Sequence, residues 1–157
     1  MSVARNYTVS FTGVAVTAQQ DLFEITAAAG KNVELVALFL SQSTEVGDAQ
    51  EEGLSIMIKS GQSTSGSGGS APTPIPMSVT DAAAGFAAEV NNTTKASTGT
   101  IVTHHADNWN VRMPFIIIFP EDMRVSLTGS RRLTVELGTT PADSITMSGT
   151  LYLREFG

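Results

Sequence analysis

The densest gathering of groups able to do chemistry is His104-His105-Ala106-Asp107-Asn108-Trp109. Imidazole and carboxylate ligate transition metals, and two histidines with an aspartate would begin a site. If a strand continues through them, adjacent side chains point to opposite faces, so His104 and His105 cannot share one ion. The favoured reading is structural, with one histidine at the surface and the other capping a loop. Trp109 reads as a core or interface anchor, because an indole buries a large area at low entropic cost.

Other candidate chemistry is thinner. Glu51-Glu52 and Glu121-Asp122 are neighbours in sequence, which suits solvated loops, and nothing marks one of them as a raised-pKa acid. Asp48 with Glu51 and Glu52 offers oxygen ligands, but the spacing does not match an EF-hand loop. The serines lack a G-x-S-x-G elbow. Ser65-Gly66-Ser67-Gly68-Gly69 lacks the Lys-Ser/Thr ending of a phosphate loop. No catalytic, cofactor-binding or metal-binding residue is assigned, and the expectation is a protein that is not an enzyme and has no cofactor.

The elements that would position these groups are strands. Tyr7-Thr8-Val9-Ser10-Phe11, Leu54-Ser55-Ile56-Met57-Ile58 and Leu133-Thr134-Val135-Glu136-Leu137 alternate apolar and polar residues, as does Ile145-Thr146-Met147-Ser148-Gly149-Thr150-Leu151. That is the period of a pleated strand with one wet face. Past Gly13 the apolar set moves to Val14 and Val16, so a bulge at Gly13 is expected to return it to the core side. Phe23 and Ile25 point inward from a strand over 21–26. The run Leu35-Val36-Ala37-Leu38-Phe39-Leu40 is apolar on both parities, as in a strand buried on both faces; a buried helix is the competing reading. Phe115-Ile116-Ile117-Ile118-Phe119 reads as a wholly apolar strand, with Pro114 and Pro120 ending its pairing. Further strands are expected over 53–60, 86–90, 99–105, 132–138 and 144–156, with a single helical turn over 81–86. The fold class is all-β, an antiparallel two-sheet sandwich, jelly-roll-like, with about nine or ten strands.

Between strands the composition shifts. The stretch 61–70 is rich in Gly and Ser and 71–76 in Pro, which together predict a flexible then stiff excursion at 60–80 within one domain spanning 1–157.

The totals exclude several classes. The net charge is −6 and only 15% of residues are charged, with Arg131-Arg132 the one adjacent basic pair. Without a basic stripe, neither nucleic acid nor an anionic membrane surface is an expected partner. The chain has no cysteine, so disulfides and thiolate chemistry are absent. It opens without a cationic, apolar leader and has no run long enough to span a bilayer, so synthesis and folding in a cytoplasm are expected.

Three stretches resemble a known group of proteins. They are Gly13-Val14-Ala15-Val16 through Asp21-Leu22-Phe23-Glu24-Ile25, Thr64-Ser65-Gly66-Ser67-Gly68-Gly69-Ser70-Ala71-Pro72-Thr73-Pro74, and Pro141-Ala142-Asp143 through Met147-Ser148-Gly149-Thr150-Leu151. Together they resemble small virion proteins of tailed bacteriophages and related prophages. The resemblance implies a jelly-roll-like virion structural protein, a capsid decoration or accessory protein that binds the phage shell or another virion protein. It also implies a homo-oligomer, with a trimer favoured, and localisation in the virion; it transfers no functional residue. Segments 35–40 and 115–119 are then candidate interface strands as well as candidate core strands, and the N-terminal arm and 61–76 candidate grips on a neighbour. The alternative is a carbohydrate-binding or receptor-binding module with Trp109, Asp107, Asn108 and Asn110 as its nucleus. A third class, a cupin-like enzyme, would need His104 or His105 to join distant carboxylates.

Overall fold

A computed structural model describes residues 3–44 and 52–157. Strand-forming alternation yields eleven strands among them: β1 (Arg5–Val16), β2 (Gln20–Thr26), β3 (Asn32–Gln42), β4 (Gly53–Thr64), β5 (Ile75–Pro76), β6 (Ala87–Asn92), β7 (Ser97–Asn110), β8 (Phe115–Ile118), β9 (Ser126–Thr128), β10 (Arg132–Leu137) and β11 (Ile145–Phe156). Sheet A has the order β5-β1-β11-β3-β8, with β9 also on β3; sheet B has the order β6-β2-β10-β4-β7. All pairings between these strands are antiparallel.

Setting aside the short β5 and β9 and the edge strand β6 leaves β1-β11-β3-β8 facing β2-β10-β4-β7. Every connection between consecutive members of this set crosses from one sheet to the other except that from β4 to β7, which are neighbours in sheet B. That is the eight-strand wrap of a jelly roll. The antiparallel sandwich expected from sequence is therefore present, with one or two more strands than expected. The extra strands are small and decorate the long connections between β4 and β7 and between β8 and β10.

The core is the space between the sheets, filled by alternate residues of each strand. Tyr7, Val9 and Phe11 meet Leu22, Phe23, Ile25, Leu54, Ile56, Ile58 and the inward residues of β10 and β11. Phe11 and Phe23 bring their rings to 5.2 Å across the sheets. In β1 the register against β11 slips between Phe11 and Val14, with Gly13 at φ +65°. The expected bulge is there, and it returns Val16 to full burial. Gly13 is suited to it because a side chain is strained at positive φ.

Four further bulges are made without glycine at the extra residue, one of them in β7 where Thr100 and Ile101 lie opposite Gly61. Val135 faces Phe23 while Glu136 faces Asp21, so Leu22 is an extra residue in β2 and joins the core. Tyr152 faces Ala37 while Leu153 faces Leu35, which makes Val36 the extra residue of β3. This explains the double parity of 35–40: the inward set changes from Val33 and Leu35 to Leu38 and Leu40. The run is a strand, and only part of its second apolar set is buried, with Val36 and Phe39 half-buried on the outer side. In β7 Ile58 faces His105 and Lys59 faces Thr103, so His104 is extra.

Three expectations are corrected. No helix forms over 81–86; Asp81 N–H closes a turn onto Ser78 C=O at 3.0 Å, and Tyr7 O–H then donates to Ala82 C=O at 2.9 Å. The wholly apolar strand 115–119 is not mid-sheet: β8 is a four-residue edge strand whose Ile116 and Ile118 face out. The excursion at 60–80 is not a flexible loop, because distant side chains fasten it down, as set out below. Met1, Ser2, Asp48 and Glu51 lie outside the described residues, so the arm's first residues and the Asp48-Glu51-Glu52 group stand only as sequence readings.

Candidate docking face

The outer faces of the two sheets are opposite in character. On sheet B, the positions between the inward residues carry Asp21 and Glu24 from β2, Thr134 and Glu136 from β10, and Lys59 from β4. Charged side chains at the centre of a sheet face need partners if they are covered, and here the chain supplies both cover and partners. After Thr64 it runs as a strap across this face. Glu24, only 1% exposed, accepts from Ser65 Oγ at 2.7 Å, Gly66 N–H at 2.9 Å, Asn92 Nδ2 at 3.2 Å and Arg132 Nε at 3.0 Å. The strap then caps the outer edge of β6, with Ser70 N–H donating to Val90 C=O at 3.0 Å and Val90 N–H to Ser70 C=O at 2.8 Å. It ends on sheet A, where β5 pairs with Tyr7 and Thr8 of β1. Its glycines serve close approach: a Cβ at Gly66 or Gly69 would run into the backbone of Thr94 or Val90.

Alongside the strap, Glu136 binds Lys59 at 2.9 Å and Lys95 at 3.1 Å. Asp21 accepts from Ala96 N–H at 2.7 Å. Burial pushes the Asp21 carboxyl up to about 7, the Ala96 N–H pulls it back, and the neighbouring Glu136 and Glu24 raise it further. This network is held by Lys59 and by the 95–96 segment that leads into β7.

Sheet A presents the reverse. Its outer face carries Phe39 of β3, Tyr152 of β11, and Ile116 and Ile118 of β8, which are 53% and 66% exposed. The Phe39 and Tyr152 rings meet edge to face at 5.4 Å. Thr150, cross-strand from Phe39, and Ala37, cross-strand from Ile118, add no charge. Charges at the margin are paired among themselves, Arg154 with Glu121 at 2.9 Å and Arg124 with Glu34 at 3.5 Å. Two shallow depressions flank the Phe39–Tyr152 pair. One of about 230 Å³ is lined by Phe39, Pro114 and Ile116 with Thr12, Ser148 and Thr150, and one of about 380 Å³ by Val36, Met77 and Tyr152 with Asn6, Arg124 and Arg154. Apolar surface gathered on one face is where proteins meet partners, membranes or ligands.

The groups singled out from sequence are dispersed. His104 and His105 both lie in β7, but the bulge removes the strict alternation on which the opposite-face argument depended. His104 Nε2 lies 2.6 Å from Ser60 Oγ, while the His105 ring sits edge-on to Phe119 at 6.0 Å. His105 Nε2 is 3.8 Å from Asp107 Oδ2. Ser60 with His104 has the spacing of a nucleophile and its base, but among the described residues no carboxylate orients His104, and the pair sits on an exposed ribbon. No group of three or more His, Asp or Glu gathers at metal-binding spacing among the described residues. Trp109 is 2% exposed and its Nε1–H donates to Met113 C=O at 2.6 Å, which makes it an anchor for the 109–113 turn and not a stacking platform. Glu52 accepts from Ala142 N–H. Glu121 begins the short 3-10 turn Glu121–Met123 and binds Arg154 as above, with Asp122 beside it in the same turn.

Sequence reasoning did not isolate the acid network of Asp21, Glu24 and Glu136 or the outward pair Ile116 and Ile118. The isoleucines had a signal in alternate positions of a proline-bounded strand; the acids had none, because their partners lie up to 108 residues away. No family model, curated protein or solved structure matches this chain.

Proposed function

We propose that this chain is a non-enzymatic structural protein of a virion, a capsid decoration or accessory protein that attaches to a phage shell as a homo-oligomer. The observation that carries the reading is the bare apolar face of sheet A, where Ile116 and Ile118 stand in solvent beside Phe39 and Tyr152. A rigid jelly-roll body with an apolar, charge-balanced face is suited to lying on another protein surface, and the resemblance to phage virion proteins names the kind of surface. The docking partner is a shell protein with a complementary apolar patch. The reading of a sugar-binding module loses its nucleus, since the Trp109 indole is enclosed.

Mass spectrometry of particles purified from an induced lysate tests the proposal. The chain is expected at a stoichiometry that is a fixed fraction of the major shell protein. Its absence from particles, with the protein abundant in the same lysate, would refute the reading.

A further inference from the structure

An open sheet edge is a row of unpaired N–H and C=O groups, and folds suppress such edges with short strands, prolines, charges or cover. Three of the four edges of this sandwich are suppressed. β5 has two residues, one of them Pro76, and β8 has four, bounded by Pro114 and Pro120. The outer edge of β6 is capped by the strap at Ser70. The fourth edge, β7, is interrupted only by bulges, at His104 and over 100–101, and is otherwise left open. It is the longest strand, fourteen residues, and pairs only with β4 among the described residues. From Ser97 to Ala106 it contains no proline, lysine, arginine or carboxylate.

The first eight residues of β7 are exposed on both faces. They carry Ile101 and Val102, 44% and 49% exposed, between Thr100 and Thr103. Beyond Ser60, where β10 stops pairing with β4, strands β4 and β7 run on as a two-stranded ribbon, a form marginal in water. This one is nevertheless built with care. Gly61 (φ +97°) and Gly99 (φ +80°) let β4 and β7 approach where a Cβ at either would meet the other strand's backbone. The occupant that fits is a second copy. The chain carries −6 overall, yet this strip is uncharged, so two copies meet here without opposing carboxylates. A strand of one sequence meeting itself antiparallel is self-complementary about a two-fold axis.

We infer that β7 is a self-association edge, joining two copies through antiparallel β7–β7 pairing centred near Ile101 and Val102 and so making one continuous sheet across the dimer. The inference rests on the homo-oligomer part of the proposed function and replaces the implied three-fold contact with a two-fold one. The contact area of one strand pair is below that of stable dimers, so the dissociation constant is expected on the order of 10 µM to 1 mM.

Sedimentation velocity over that concentration range tests it, with wild type, the double variant Ile101→Lys/Val102→Lys, and Ile116→Lys as a control on the other sheet. Both target residues are half-exposed, and circular dichroism checks that the variants fold. The wild type is expected to pass from one to two chain masses, the double variant to weaken association at least ~10-fold by opposing charges, and the control to associate as wild type does. Amide exchange on the wild type gives a second readout, with some amides of 97–104 expected to slow as concentration rises. A wild type that stays monomeric throughout, or association that the β7 lysines leave unchanged, overturns the inference. Unchanged exchange in 97–104 on association does the same. Detection of a monomeric chain in purified particles would overturn β7 pairing while leaving the virion reading intact; absence from particles with the β7 dimer present would do the reverse.

Discussion

Replacing Asp21 with Asn is expected to stabilise the protein in alkaline solution and to do little in acid. Asp21 is 1% exposed beside Ala96, and burial lifts its carboxyl from 3.8 to about 7, aided by Glu136 and Glu24 and opposed by the Ala96 N–H and by Lys95. A carboxyl whose folded pKa is raised binds its proton more tightly in the native state. Its contribution is therefore fully present below pH 4 and is lost as pH rises through 7. A shift of about three units corresponds to ~4 kcal/mol between the two limits, at 1.36 kcal/mol per unit. The Asn side chain keeps an acceptor for Ala96 N–H, adds a donor toward Glu136 and Glu24, and never ionises. Lys95 keeps Glu136 at 3.1 Å. Urea unfolding of wild type and Asp21→Asn at pH 4, 6 and 8.5 reads the difference directly. The variant is expected to gain about 2–4 kcal/mol at pH 8.5 relative to its position at pH 4. A difference that does not change with pH, or a variant less stable than wild type at pH 8.5, would refute the reasoning.

Glu24→Ala removes four hydrogen-bond acceptances at once and strands Arg132, so a loss of about 3–5 kcal/mol is expected, together with proteolytic cleavage within 65–76; resistance of that segment to protease in the variant would contradict the strap. Glu24→Gln keeps the shape and loses the charge pairing, and should fall between the two in a thermal melt. Gly61→Ala places a Cβ against the Thr100 carbonyl at φ +97° and is expected to cost about 1–3 kcal/mol, with amide exchange accelerating first in 97–103. Trp109→Phe loses the bond to Met113 C=O and should destabilise by about 1–3 kcal/mol, with no change in any glycan binding because the indole meets no solvent.

How much of this was legible depends on the range over which each residue's reason operates. The bulge at Gly13 could be read because the glycine and the change of parity sit within four residues. The bulges at Leu22, Val36 and His104 carry no glycine, so they looked like double burial in β3 and like simple alternation in β7. The length of β7 was underestimated for another reason. Ser, Thr, Gly, His and Asn on a strand wet on both faces leave no hydrophobic period to detect. The Gly/Ser stretch was read as flexible from composition, and locally that is sound. What orders it are Glu24, Asn92 and Arg132, held beside it only by the closed fold. For the same reason Asp21, unremarkable in sequence, becomes a buried carboxyl held well above the usual carboxylate range.

The two outer faces together bear on how such a body would attach. Part of the polar face of sheet B is covered by the chain's own strap, while the apolar residues of sheet A are left in water. Full burial of a side chain such as Ile is worth about 1.5–3 kcal/mol, and Ile116 and Ile118 already bury about half and a third of theirs. Covering both therefore yields only about 2–4 kcal/mol before the cost of association, which makes a single face a weak ligand. A shell repeats its sites, however, and two copies joined at β7 would present two such faces as one rigid body. Linked weak contacts gain 10²- to 10⁴-fold in avidity where the geometry lets both engage, on the order of the step from transient to stable occupancy. The expected signature is an affinity for assembled shells far above that for isolated shell subunits, and its collapse in Ile101→Lys/Val102→Lys even though the sheet A face is untouched. Equal affinity for both forms of the shell protein would mean that the face alone suffices and that pairing at β7 contributes nothing to attachment.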